Sequence, residues 1–117
     1  MIKLAGEKES LKVVNDQTGC PTYSKDLADA IIQIIKTHYY GIYHVSNDGS
    51  CSWYEYANEI FKIAGITNVN LIPCTTEEFY RPAKRPSYSV MNNLNYKLRG
   101  FKPLKDYKSA LQEFLKK

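Results

Sequence analysis

Three short apolar runs alternate along this chain with three longer runs of helical periodicity. LKVVN (11–15), IYHVS (42–46) and NLIP (70–73) are brief, apolar and bounded by turn residues, which predicts strands. Residues 25–38, 52–64 and 104–116 repeat apolar side chains at i, i+3, i+4 and i+7, which predicts helices. The order strand, helix, strand, helix, strand, helix argues for an α/β fold of short strands alternating with helices. The 117 residues suit a single small domain spanning 1–117. A chain of this size buries roughly two thirds of its unfolded surface, enough for a core.

Local signals set the expected element ends. MIKLA reads as the end of a helix stopped at Gly6, so residues 1–10 are expected to be a helix remnant and linker. Leu27, Ala28, Ile31, Ile32, Ile34, Ile35 and His38 form a wide apolar stripe. Ser24 is the expected N-cap and Asp26 a first-turn carboxylate favoured by the helix dipole. IYHVS carries bulky groups on both faces and so wants cover on both sides, and NDG (47–49) follows it as a turn signal. Ser52 and Glu55 make an S-x-x-E capping box, and Gly65 a C′ stop. TTEEF (75–79) suits a brief helix. RPAKRPSYS (81–89) is expected as loop, because two prolines forbid a regular helix.

Composition narrows the function classes. With 44% hydrophobic and 24% charged residues the chain reads as globular. No apolar run approaches the ~20 residues of a membrane helix, and MIKLAGEKES lacks an apolar leader core, so a cytoplasmic, non-membrane protein is expected. Cys20, Cys51 and Cys74 are widely spaced, with no CxxC and no His at zinc-ligand spacing, so free thiols and no metal site are expected. A net charge of +4, spread along the chain, makes no phosphate-tracking stripe, so no nucleic-acid partner is expected. The ten tyrosines suit interfaces and polar ligand pockets.

Few residues carry chemistry by themselves. The glycines at 6, 19, 41, 49, 65 and 100 are too scattered for a dinucleotide or Walker loop, so no cofactor site is expected in this chain. Tyr80 and Lys84 satisfy Y-x-x-x-K, a proton-passing pair, but that chemistry needs both on one helical face and Pro82 lies between them. Cys20 has no nearby base, His44 reads as a structural residue within a strand, and Trp53 as core, rim or a stacking ring. No catalytic residue is assigned. Arg81 and Arg85 each precede a proline. A guanidinium on such a backbone suits bidentate phosphate binding, and equally a surface salt bridge.

LKVVNDQTGCPTYSKDLADAI, GIYHVSNDGSCSWYEYANEIF and AKRPSYSVMNN, in that order, resemble the C-terminal half of the dTDP-4-dehydrorhamnose reductases. These are extended short-chain dehydrogenases that reduce dTDP-4-keto-L-rhamnose to dTDP-L-rhamnose for cell-surface polysaccharide. The resemblance implies the substrate-binding portion of that fold, with the Rossmann half absent from these residues. NAD(P)H and the catalytic Tyr-Lys helix belong to that other half, so this chain by itself is expected to bind no NAD(P)H, to reduce nothing and to bind a dTDP-sugar weakly. Asp16, Gln17, Gly19, Pro21 and Thr22 fall on the family's DQxGxPT loop bordering the substrate pocket. Arg85, Pro86 and Ser89 fall on its RP-x-x-S stretch, with Arg85 the expected contact to the diphosphate and Arg81 outside the motif. Residues 42–46 would join the edge of the N-terminal sheet, so homo-oligomerisation through that strand, or a rearranged position for it, is expected. A related branch of the superfamily is the regulatory subunit of methionine adenosyltransferase, which implies the alternative of a non-catalytic binding module.

Overall fold

A computed structural model of the chain describes residues 1–79 and 82–116. They form two compact units, residues 1–19 with 51–79 and 82–89, and residues 20–50 with 90–116.

In the first unit the β-branched run becomes β1 (Ser10–Val14), parallel to β4 (Asn70–Cys74) in the register Leu11 to Leu71 and Val13 to Pro73. A parallel pair needs a long crossover, here containing α3 (Trp53–Ala64). α3 begins as the sequence predicts. The Ser52 hydroxyl accepts from Glu55 N at 3.0 Å, and Ser52 N donates to the Glu55 carboxylate at 2.7 Å. It ends at Gly65, whose φ of 67° is left-handed and easily adopted only without a Cβ. Leu11, Ala57, Ile60, Phe61 and Cys74 are buried together with Ala5 of the one-turn α1 (Ile2–Ala5). A second, two-residue ladder was not anticipated: β2 (Thr18–Gly19) runs antiparallel to β3 (Cys51–Ser52).

In the second unit α2 (Ser24–Ile35) starts at the expected cap itself, one residue early. Tyr23 is the N-cap and Ser24 the first helical residue. The Tyr23 N–H is held at 2.7 Å by the side chain of Asn47, which replaces a local cap. The apolar stripe is only partly used within the unit, since Ala30 is buried while Ile31, Ile32 and Ile35 are exposed. The helix stops before the expected His38, because the Thr37 N–H and hydroxyl both turn back to the Ile34 carbonyl.

Residues 42–46 form no strand, which corrects the sequence expectation. The segment is held by side chains instead. Asn95 Nδ2 donates to the Ile42 carbonyl at 2.8 Å, and the Asn93 amide bonds both the Ser46 N–H and the Ser46 carbonyl. Asn93 itself adopts a left-handed φ of 55° and opens α4 (Leu94–Leu98), an element with too few turns to announce itself by periodicity. The last helix is α5 (Tyr107–Leu115), capped by Asp106, whose carboxylate accepts from Lys108 N at 2.8 Å. Tyr107, Ala110 and Leu111 are its buried face, and Tyr96 of α4 stacks on Phe101 at 4.9 Å.

Candidate functional site

The polar loop that follows β1 is tied down on two sides inside the first unit. Its Asn15 N–H extends the ladder to the Cys74 carbonyl, and Asn15 Oδ1 accepts from the Ser52 hydroxyl at 2.7 Å. The Asp16 carboxylate then reaches the turn after β4. It accepts from Thr76 N at 2.9 and 3.0 Å and from the Thr76 hydroxyl at 2.7 Å. These bonds, the backbone one foremost, hold the Asp16 carboxyl below its ordinary value. Gln17 Nε2 donates to the same Thr76 hydroxyl oxygen at 3.0 Å.

The turn after β4 is one turn and not the brief helix expected over 75–79. Thr75 N donates to the Glu78 carboxylate at 2.7 Å, and Glu78 N to the Thr75 hydroxyl at 3.3 Å. This is a complete capping arrangement. Pro82, which has no N–H, follows too closely for a helix to propagate.

Thr18 is the junction of the two sequence segments singled out above. Its N–H donates to the Ser87 carbonyl at 2.8 Å, and its carbonyl accepts from Ser89 N at 2.9 Å and from the Ser89 hydroxyl at 3.3 Å. Thr18 therefore lies between Ser52 on one side and Tyr88 on the other, as the middle of three extended segments. Gly19 explains itself at this point: a Cβ there would sit 3.0 Å from the Ser89 hydroxyl oxygen.

The structure thus brings Asp16, Gln17, Gly19 and Ser89 together, with Arg85 and Pro86 on the exposed 82–86 stretch that leads into Ser87. Among the described residues nothing holds the Arg85 guanidinium. Tyr80 and Arg81 lie outside the described residues, and Lys84 stands in non-helical backbone. Thr76, Thr18 and Ser87 were not anticipated. The one available signal was the Thr75-x-x-Glu78 spacing, which reads as a helix start and gives no hint of the partnership with Asp16.

Pro21 and Thr22 belong to the second unit. The Thr22 hydroxyl donates to the Cys20 carbonyl at 3.0 Å, and Met91 N donates to Cys20 Sγ at 3.5 Å. The residue after them is anchored by Asn47, which is 1% exposed. Asn47 Oδ1 accepts from Tyr23 N, while its Nδ2 donates to Asp26 at 2.7 Å and to the Lys105 carbonyl at 2.9 Å. Asp26 is consequently buried and paired with Lys105 at 3.1 Å, beyond the first-turn role its position suggested. Lys105 also contacts Glu113, which Lys25 meets at 2.8 Å from the other side. These two ammonium groups pull the Glu113 carboxyl down to about 2.

Chemically, the described residues of the first unit offer hydrogen-bonding backbone, an amide, a hydroxyl and, at Arg85, a cation that no other described residue pairs. That is equipment for holding a polar anionic ligand. Among the described residues no group of three or more His, Cys, Asp or Glu could hold a metal ion, and no helix is long and apolar enough to cross a membrane.

A family model described as the RmlD substrate binding domain matches residues 1–117. The chain is 45% identical over 115 residues to the Bacillus subtilis spore coat polysaccharide biosynthesis protein SpsK, covering 98% of this chain and 40% of that protein. Two solved structures are similar to it. The dTDP-4-dehydrorhamnose reductase of Clostridium acetobutylicum has a TM-score of 0.94 at 44% identity, covering 98% of this chain and 41% of that one. The Bacillus anthracis dTDP-4-dehydrorhamnose reductase, solved in complex with NADP, has a TM-score of 0.91 at 45% identity, covering 97% and 40%. The chain spans about two fifths of the length of these relatives. On a match along its whole length, it belongs to the family of RmlD substrate binding domains.

Proposed function

We propose that this chain supplies the nucleotide-sugar-binding part of a dTDP-4-dehydrorhamnose reductase, the enzyme that converts dTDP-4-keto-L-rhamnose to dTDP-L-rhamnose. The observation that carries the reading is the Thr18 junction. Its bonds to Ser87 and Ser89 set the DQTG loop beside the RPSYS stretch, the two segments that the family resemblance assigns to the substrate pocket. Arg85 is the proposed contact to the diphosphate, since a guanidinium matches phosphate oxygens in pairs. Asp16, Gln17, Gly19, Pro86 and Ser89 shape the same wall, and Pro21 and Thr22 continue the loop in sequence.

The reduction needs a nicotinamide, which supplies hydride when bound. The described residues do not fit one. A dinucleotide pyrophosphate rests on a glycine-rich turn whose free N–H groups open a helix. Here α3 opens on the occupied Ser52–Glu55 capping box, α2 opens on an N–H taken by Asn47, and neither starts from a glycine-rich turn. The hydride donor therefore belongs, on this reading, to the three fifths of the relatives' length that this chain does not match. The proposed setting is cytoplasmic, as befits a nucleotide-sugar enzyme.

The test is a titration with dTDP-rhamnose followed by amide chemical shifts of the chain. Shifts are expected in 16–19, at Thr22 and in 82–89, and Arg85→Ala should abolish most of them. Unmoved amides at millimolar ligand would refute the reading. Neither the fold nor the relatives favour the regulatory-module alternative.

A further inference from the structure

We infer that Thr76 is the positioning residue of the ligand-facing loop, and that it fixes which way the Gln17 amide points. The inference rests on the proposed reading only for what the loop faces. Its geometric part stands on the first unit alone.

A threonine hydroxyl has one proton to give and two lone pairs to receive. The Asp16 carboxylate is held in the ionised state by the Thr76 N–H and hydroxyl, and an ionised carboxylate can only accept. The hydroxyl proton must therefore go to Asp16 Oδ1, at 2.7 Å. With its proton spent, Thr76 Oγ1 can only accept toward Gln17, so the group 3.0 Å away must be the Gln17 NH₂. The carbonyl and amino ends of a glutamine are assigned by such networks, and this one leaves a single choice. It turns Gln17 Oε1 away from Thr76 as an acceptor with no partner among the described residues. The loop thus presents an acceptor of fixed direction, suited to a hydroxyl or imide N–H donor on the ligand.

The chain of dependence runs Asp16, Thr76, Gln17, with Thr76 in the middle. It joins the loop after β1 to the turn after β4 across 60 residues. Thr76 touches no ligand in this scheme. Its effect is to remove rotational freedom from Gln17 before binding, which lowers the ordering cost at the site.

Thr76→Val keeps the shape and the backbone N–H to Asp16 but removes the hydroxyl relay, whereas Thr76→Ser keeps the relay. In the ligand-free chain, the Gln17 side-chain NH₂ resonances and the 16–19 backbone amides are expected to move in Thr76→Val and to stay near parental positions in Thr76→Ser. With dTDP-rhamnose, Thr76→Val is expected to raise Kd about threefold to tenfold, as for one lost hydrogen bond, with Thr76→Ser close to parental. Melting temperature serves as the folding control for both variants. If Thr76→Val leaves the ligand-free Gln17 NH₂ and 16–19 amides where Thr76→Ser and the parent have them, the positioning role is overturned. If those amides move as expected but no variant responds to dTDP-rhamnose, the positioning role stands and the reading of the site fails.

Discussion

Asn47→Ala should be among the most damaging single substitutions in the second unit. Asn47 is 1% exposed, and its amide serves three partners: Tyr23 N, Asp26 Oδ2 and the Lys105 carbonyl. Truncation strands the Tyr23 N–H at the start of α2, leaves the Lys105 carbonyl without that donor and takes one donor from a buried carboxylate. A neutral hydrogen bond contributes about 1 kcal/mol and one to a charged group about 2 kcal/mol. The expected loss is therefore about 3–4 kcal/mol, the range of a broken buried network. Urea unfolding followed by far-UV circular dichroism measures it, with the m-value checked for constancy. Asn58→Ala is the matched control. Its Nδ2 also donates to a carbonyl, that of Tyr54 at 2.9 Å, but on an exposed helix face, so the expected change is within about 0.5 kcal/mol. If Asn47→Ala unfolds within about 1 kcal/mol of the parent, the three bonds do not act as a unit and the reasoning fails.

Gly19→Ala should cost about 1 kcal/mol, because the new methyl displaces the Ser89 hydroxyl from the Thr18 carbonyl. In a Ser89→Ala background the cost should shrink, giving a coupling of about 0.5 kcal/mol or more in a double-mutant cycle, and strict additivity would refute the contact. The pH dependence of stability follows from Glu113. Its folded pKa lies near 2, below the ordinary 4.5, so its contribution is fully present above pH 4.5 and lost as pH falls toward 2. Melting temperature against pH should accordingly fall less steeply across that window in Glu113→Gln than in the parent. Some acid slope persists through Asp16 and Glu78, which shift in the same direction, and parallel curves for parent and variant would count against the role of Glu113.

The elements legible in advance are those whose ends are written locally. α3 carries its own capping box and its own terminal glycine, so its bounds follow from three residues, Ser52, Glu55 and Gly65. β1 and β4 are short apolar runs bounded by polar or turn residues, and each completes its ladder with the other. Two of the misreadings share a cause: a distant side chain replaces a local partner. Ser24 lost the cap position because Asn47 reaches Tyr23 from 24 residues away. Residues 42–46 have the composition of a strand, but a strand exists only through its neighbour, and among the described residues Asn93 and Asn95 take that place. Within the site, Gly19 and Ser89 could be named from motif resemblance, yet the reason for the glycine, a hydroxyl 3.0 Å from its missing Cβ, is a property of the folded contact. Thr76 was invisible for the same reason, since its link to Asp16 crosses 60 residues.

The bonds at Thr18 to Ser87 and to Ser89 N are made by main-chain atoms, which are indifferent to side-chain identity. The 82–86 stretch therefore hangs from a post that its own substitutions cannot loosen. Exposed throughout, it can change at 82–84 while the strand beside it keeps its place, whereas Arg85 and Pro86 are held, on the proposed reading, by the diphosphate they meet. Gly19 and Ser89 have no such latitude, because one cannot grow without displacing the other. On the proposed reading, lineages that build different deoxysugars would diverge by rewriting 82–84 and would leave Arg85, the glycine and the serine alone.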